Sequence, residues 1–272
     1  MPTSLVQNES VLAIEVGAAV TRAVLFDVVE GQYRFVASGQ APSTAEAPFK
    51  NIGIGVREAI KSLQNITGSL LLGKDNSLIA PSQADGTGVD SVVAVVSAGP
   101  VVRTVVVGLL PDVSVQSARN LAESTYARVV DSIDLSDNRK PDQQLDGILR
   151  SRPDLIILSG GTDGGASRSM LKVLEAVGLA CYLMPMEKRP MVLYAGNEKL
   201  AGDVQELLGA HAGKLVIGQN VRPSLEAEDL VPASNHLASL VTNLRQRQLK
   251  GMDELNTWTG GSILPTAYAQ GR

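Results

Sequence analysis

Apolar and polar positions fall along the first forty residues in three short runs, 11–16, 23–28 and 33–39, each of a length and pattern that predicts a strand. Ile52, Val56, Ala59, Ile60 and Leu63 then recur at helical spacing, and Gly68 marks the end of that helix. A polar loop holding Asp75, Asn76, Asp85, Gly86, Thr87 and Gly88 precedes a further buried strand at 92–96. Three meandering strands, a helix and a returning strand predict a mixed sheet of the ribonuclease H-like kind.

From about residue 100 strand and helix alternate strictly. Residues 104–109 predict a strand, and Val115, Ala118, Ala122, Tyr126, Val129 and Ile133 predict one helix behind it with Ser114 as its cap. Leu155–Leu158 predicts the next strand. A helix from Ala166 then buries Met170, Leu171, Leu174 and Val177 and ends at Gly178. Residues 191–195 predict another strand, after which Asn197 caps a helix that turns Leu200, Val204, Leu207 and Leu208 inward and stops at Gly209; residues 215–217 close the series. Near-continuous apolar strands between amphipathic helices predict a parallel sheet covered on both faces, with ligands beyond the strands' carboxyl ends. A last helix around Leu237, Leu240, Val241 and Leu244 precedes a polar tail through Trp258 to Arg272. The expected fold is thus α/β in three parts. A ribonuclease H-like part covers 1–99, an alternating β/α part 100–225, and a helical segment over 226–272 returns to the first part.

Composition narrows the function. With 272 residues, 44% of them hydrophobic, the chain can bury one large core or two modest ones. A net charge of −4 and only 3% aromatics argue against a nucleic-acid partner, which would need a basic surface or stacking platforms. Cys181 is the single cysteine and lies in an apolar run, so it reads as a small core residue; His211 and His236 are too few for a histidine metal site. The opening ten residues lack a secretory pattern, and no apolar run reaches the ~18 residues of a membrane span, so a cytoplasmic protein is expected. The charge cluster Glu187, Lys188 and Arg189 reads as a solvated loop.

Two places carry candidate chemistry. At the first hairpin, Glu15 ends a buried strand, Gly17 makes the turn, and Thr21 and Arg22 open the next strand. A carboxylate, a glycine bend, a hydroxyl and a cation so arranged can hold a nucleotide's phosphates and Mg²⁺; the same residues also suit an ordinary first hairpin. Further on, Ser159 to Gly165 (SGGTDGG) follows a strand and opens a helix. Gly160, Gly161, Gly164 and Gly165 let a ligand approach the backbone, and Thr162 and Asp163 offer a hydroxyl and a carboxylate. The loop matches neither the dinucleotide spacing nor the P-loop, and it also reads as a tight turn with Thr162 or Asp163 as a cap. Asn197 on the neighbouring loop suits a helix cap or a ligand contact, and Pro111-Asp112 forms a third edge of the same crevice.

The ordered set of the opening hairpin, Ser97-Ala98-Gly99, VVVGLLPD at 105–112, LSGGTDGG at 158–165 and LYAGN at 193–197 resembles the glutamate mutase L protein family over residues 11 to 268. The resemblance implies membership of the superfamily of actin, sugar kinases and heat-shock chaperone ATPases. It also implies an ATP- and Mg-dependent chaperone or reactivating factor for an adenosylcobalamin-dependent mutase. In that frame Gly17, Thr21 and Arg22 fall on the first phosphate motif and Glu15 on its metal- and water-orienting acid. That motif usually reads Asp-x-Gly-Ser-Thr-x-Thr-Lys, and here Glu15, Ala18, Ala19 and Arg22 depart from it. Leu264-Pro265-Thr266 resembles the element that precedes the superfamily's second phosphate motif, and since the sequence stops at Arg272 the cleft is expected to need another segment or chain. Loss of the hydroxyl pair leaves open a second reading, a binding or assembly scaffold without hydrolysis. A sugar or acid kinase is a weaker third, because no catalytic carboxylate facing a substrate pocket is found.

Overall fold

The computed structural model describes residues 9–165 and 167–271. The chain divides into two compact units. One holds the residues up to Pro100 together with Thr242–Gln270, and the other holds Val101–Val241.

The first unit contains β1 (Val11–Val16), β2 (Val20–Val29), β3 (Gln32–Pro42), α1 (Ile52–Thr67) and β4 (Ser91–Val96), as read from the sequence save for longer strands. Their sheet runs β10-β4-β1-β2-β3, where β10 is Ile263–Pro265. β1 to β3 are antiparallel, and β4 and β10 add in parallel, which is the mixed ribonuclease H-like arrangement. α1 lies on one face. Asn51 accepts from the Gly53 amide at its start, and Gly68 at φ 75° ends it in the left-handed conformation. β3 presses so closely on α1 that a Cβ at Gly39 would collide with the Ala59 carbonyl and the Leu63 amide. The core under α1 joins Leu12, Ile14, Val16, Val56, Ile60 and Leu63 to Met252 and Leu255 of α7 (Met252–Trp258). The supposed polar tail therefore supplies a helix, an edge strand and core side chains.

The second unit is built on an all-parallel sheet, β6-β5-β7-β8-β9. Its strands are β5 (Arg103–Val107), β6 (Arg128–Ile133), β7 (Leu155–Leu158), β8 (Met191–Tyr194) and β9 (Lys214–Ile217). The helices are α2 (Gln116–Glu123), α3 (Pro141–Ser151), α4 (Ser167–Leu183), α5 (Ala201–Leu208) and the start of α6 (Val231–Gln248). The single helix expected over 115–133 is corrected: α2 stops after eight residues, Tyr126 takes φ 56°, and Val129 and Ile133 belong to strand β6. Ser114 does not cap α2. It sits in a π turn, Pro111–Val115, and its hydroxyl accepts from the Leu109 and Leu110 amides at 2.8 and 3.0 Å. α4 likewise does not end at Gly178 but runs five residues further, because that glycine lets the helix approach the Leu207 carbonyl. The expected start of that helix, Ala166, lies outside the described residues. Cys181 is buried within α4, and burial pushes its thiol up to about 12.

α3, α4 and α5 share one core with Val105, Val107, Ile156, Leu158, Val192 and Tyr194. The buried apolar side chains of α2, Ala118, Leu121 and Ala122, stand outside that cluster, as right-handed crossovers from a central strand require. The crossovers after β5 and β7 therefore depart to opposite faces, and the switch point of this sheet falls between those two strands.

Candidate functional site

At the first hairpin, β1 and β2 pair in register so that Glu15 faces Arg22. Arg22 donates to the Glu15 carboxylate at 3.1 Å, with both side chains more than two-fifths exposed. The turn is closed by the Gly17 amide donating to the Val20 carbonyl at 3.0 Å. A Cβ on Gly17 would lie 2.8 Å from that carbonyl, so the bend requires glycine. Ala18 and Ala19 are exposed, and among the described residues their amides have no protein acceptor.

Thr21 is separated from this group. Strand alternation turns it to the α1 face, where it is fully buried beside Gly55, and its hydroxyl has no partner among the described residues. Glu15 and Arg22 are on the opposite face of the sheet. There Glu15 borders a cavity of about 390 Å³ whose lining includes Val24, Phe26, Val93 and Thr266. Ser97 and Ala98 donate to the Val16 carbonyl at 3.0 and 3.1 Å, bringing the carboxyl ends of β4 and β1 together at the turn.

In the second unit the loops after β7 and β8 are clasped to each other. The Asn197 amide oxygen accepts from the Gly164 and Lys199 amides, and its NH₂ donates to the Gly165 carbonyl, each at 3.1 Å. Tyr194, fully buried, donates its hydroxyl to the Asn197 carbonyl at 2.8 Å. Burial and the nearby Asp163 hold that phenol protonated, well above its ordinary range. Gly160, Gly161 and Gly164 all have positive φ, at 151°, 74° and 79°. The amides of Asp163, Gly164 and Gly165 are consumed inside the protein by Pro223, Asn197 and Thr162. The Asp163 carboxylate accepts from Asn220 at 2.8 Å and from the Glu198 amide at 3.4 Å. Asn197 thus combines a cap with a cross-link between loops. The Ser159 hydroxyl is buried here with no partner among the described residues.

A cavity of about 220 Å³ opens beside this loop, lined by Leu109, Leu110, Val113, Ser114, Leu135, Gly161, Thr162, Arg222 and Leu225. Pro111 and Asp112 belong to the π turn that also carries Val113 and Ser114. Arg222 and Leu225 come from the loop after β9, which offers no periodicity to read. The only cue was its place beyond the carboxyl end of a strand. Among the described residues no group of three His, Cys, Asp or Glu is placed to hold a metal ion, and no helix is long and apolar enough to cross a membrane.

Fold and sites together define a two-unit α/β protein, ribonuclease H-like in one unit and doubly wound in the other, with an open hairpin turn and a switch-point crevice. The chain belongs to the MutL (glutamate mutase L) protein family, whose model matches residues 11–272. It is similar to Protein MutL of Clostridium tetanomorphum, with 26% identity over 223 residues. That match takes in 79% of this chain but 45% of the relative, so the chain spans less than half of that protein's length. Among solved structures, a glycerol dehydratase reactivase matches at 13% identity over 58% of this chain and 28% of its own, with a TM-score of 0.21.

Proposed function

We propose that this chain belongs to a nucleotide-binding reactivating factor or chaperone for an adenosylcobalamin-dependent mutase of the glutamate mutase type. Family membership supports the mutase as partner. The observation that carries the nucleotide part is the exposed Gly17–Ala19 bend at the carboxyl end of β1, with two unclaimed amides and the Glu15–Arg22 pair on the adjoining strands.

ATP with Mg²⁺ fits that bend through its phosphates. The Ala18 and Ala19 amides would donate to phosphate oxygens, Arg22 would leave Glu15 to neutralise charge, and Glu15 would hold the Mg²⁺ hydration shell. Bound Mg²⁺ would neutralise and orient the phosphates. Thr21 takes no part in this reading, because its hydroxyl is on the core side of the sheet. Hydrolysis by this hairpin alone is not expected: Ala18 and Ala19 supply no hydroxyls where the motif usually has two.

Calorimetry of the chain with Mg-ATP tests this. Saturable binding that Glu15→Gln and Arg22→Gln each weaken by about tenfold is expected, since each removes a charge-assisted contact. No heat at roughly millimolar Mg-ATP, a concentration that reports even the weakest useful affinity, would overturn it. The second reading, an assembly scaffold without nucleotide, is favoured by one observation, the Glu15 carboxylate already engaged by Arg22. It predicts capture of the mutase unaffected by ATP.

A further inference from the structure

The crevice between β5 and β7 has features that a mere gap between loops would lack. It lies at the switch point of a doubly wound sheet, where diverging crossovers leave space that the fold itself does not fill. Its walls are the aliphatic side chains of Leu109, Leu110, Val113, Leu135 and Leu225. Leu110, Leu135 and Leu225 are 47%, 55% and 65% exposed, an apolar rim left in water around one opening. Among the lining residues Arg222 alone is charged.

Arg222 is held in place. Its Nε donates to the Ser117 hydroxyl at 2.8 Å and one terminal nitrogen to Glu228 at 3.2 Å, while Nη1 has no protein acceptor among the described residues. The loop that carries it is pinned at its base, with the Asp229 amide donating to the Val221 carbonyl and the Val221 amide to Ala195. Glu228, on the same loop, is the acid paired with Arg222, while Asp163 on the loop after β7 is turned onto Asn220 and the Glu198 amide. Thr162 adds a hydroxyl to the lining.

We infer that this crevice binds a small carboxylic acid with a compact apolar body, the hydrocarbon among the leucines and the carboxylate on Arg222. Volume sets the size. An apolar cavity of ~150 Å³ accepts benzene, so about 220 Å³ accepts a ring or branched chain with a short acidic arm. The inference is independent of nucleotide binding at the first hairpin.

The test is methyl-detected NMR of the full chain titrated with 3-phenylpropanoate and, separately, with 3-phenylpropan-1-ol. Saturable shifts confined to the methyls of Leu109, Leu110, Val113, Leu135 and Leu225 are expected with the acid, and binding about tenfold weaker with the alcohol. Arg222→Gln is expected to erase the difference between the two probes. Leu225→Glu alters an exposed position and leaves the fold intact, and it should weaken the acid about tenfold by placing a like charge at the mouth. Unmoved methyls at roughly 10 mM acid, equal binding of the alcohol, or acid binding indifferent to Leu225→Glu would each overturn the assignment.

Discussion

Asn197 shows how one side chain can settle the shape of a glycine-rich loop. It is fully buried and makes three hydrogen bonds, two accepted from the Gly164 and Lys199 amides and one donated to Gly165. Truncation to alanine would remove the partner of two amides and a carbonyl at partly buried positions, where each lost hydrogen bond costs about 0.5–1.5 kcal/mol. Asn197→Ala is therefore expected to lower stability by about 2–4 kcal/mol in urea denaturation. Asn197→Asp should recover only part of that loss, since a carboxylate can accept from the amides but cannot donate to Gly165. A change below ~0.5 kcal/mol in Asn197→Ala would show the loop to hold its form without the clasp. As a cap Asn197 was legible, because Asn before a helical run satisfies the first free amides. Its bond to a loop more than thirty residues earlier was not, because nothing local encodes it.

Asp90 performs a comparable task between elements. It stands just before β4, where one carboxylate oxygen accepts from the Ser82 amide and hydroxyl and the other from the Ser10 amide and hydroxyl, both at 2.9 Å. The Ser82 hydroxyl, foremost, and the Ser10 amide hold this carboxyl below the usual range. A folded-state pKa below the unfolded one stabilises the protein above the unfolded value, ~3.9, and that contribution disappears as pH falls through the folded value. Asp90→Asn is expected to be less stable than the parent at pH 7, with the gap closing below about pH 4; urea midpoints across that range would measure it. Elements were legible where one periodicity ran unbroken, as in β1, α1 and β7. Reading failed at 115–133, where the α2 stripe happens to continue in phase with Val129 and Ile133 of β6. The break there is conformational, at Tyr126, and the residue type does not signal it. α3 escaped notice because it buries Ile148 alone and is otherwise polar or half-exposed. The crevice was legible only as a location beyond strand ends, since its cation and much of its rim come from the loop after β9.

At the scale of the whole chain, the second unit is an excursion from the first. The chain leaves the ribonuclease H-like unit after Pro100 and re-enters it at Thr242, and the returning segment supplies β10 and the core residues Met252, Leu255 and Ile263. Exit and return lie close together, because Arg245 donates to the Pro100 carbonyl at 2.5 Å and its guanidinium would lie 2.7 Å from a Cβ at Gly99. An insertion whose ends nearly meet costs the host little loop entropy and can be removed without stretching it. The excursion has its own five-stranded parallel sheet, and its own core around Val105, Ile156, Leu174 and Val192. Residues 101–241 expressed alone are therefore expected to give one cooperative thermal transition and the near-ultraviolet signature of a packed core. Residues 1–100 joined to 242–272 through a short Gly-Ser linker should do the same. Ending the chain before Met252 should instead cripple the first unit, since it removes an edge strand and three core side chains, each worth roughly 2–5 kcal/mol when truncated to alanine. A 101–241 fragment that binds a hydrophobic dye and melts without cooperativity would show that the excursion folds only with its host.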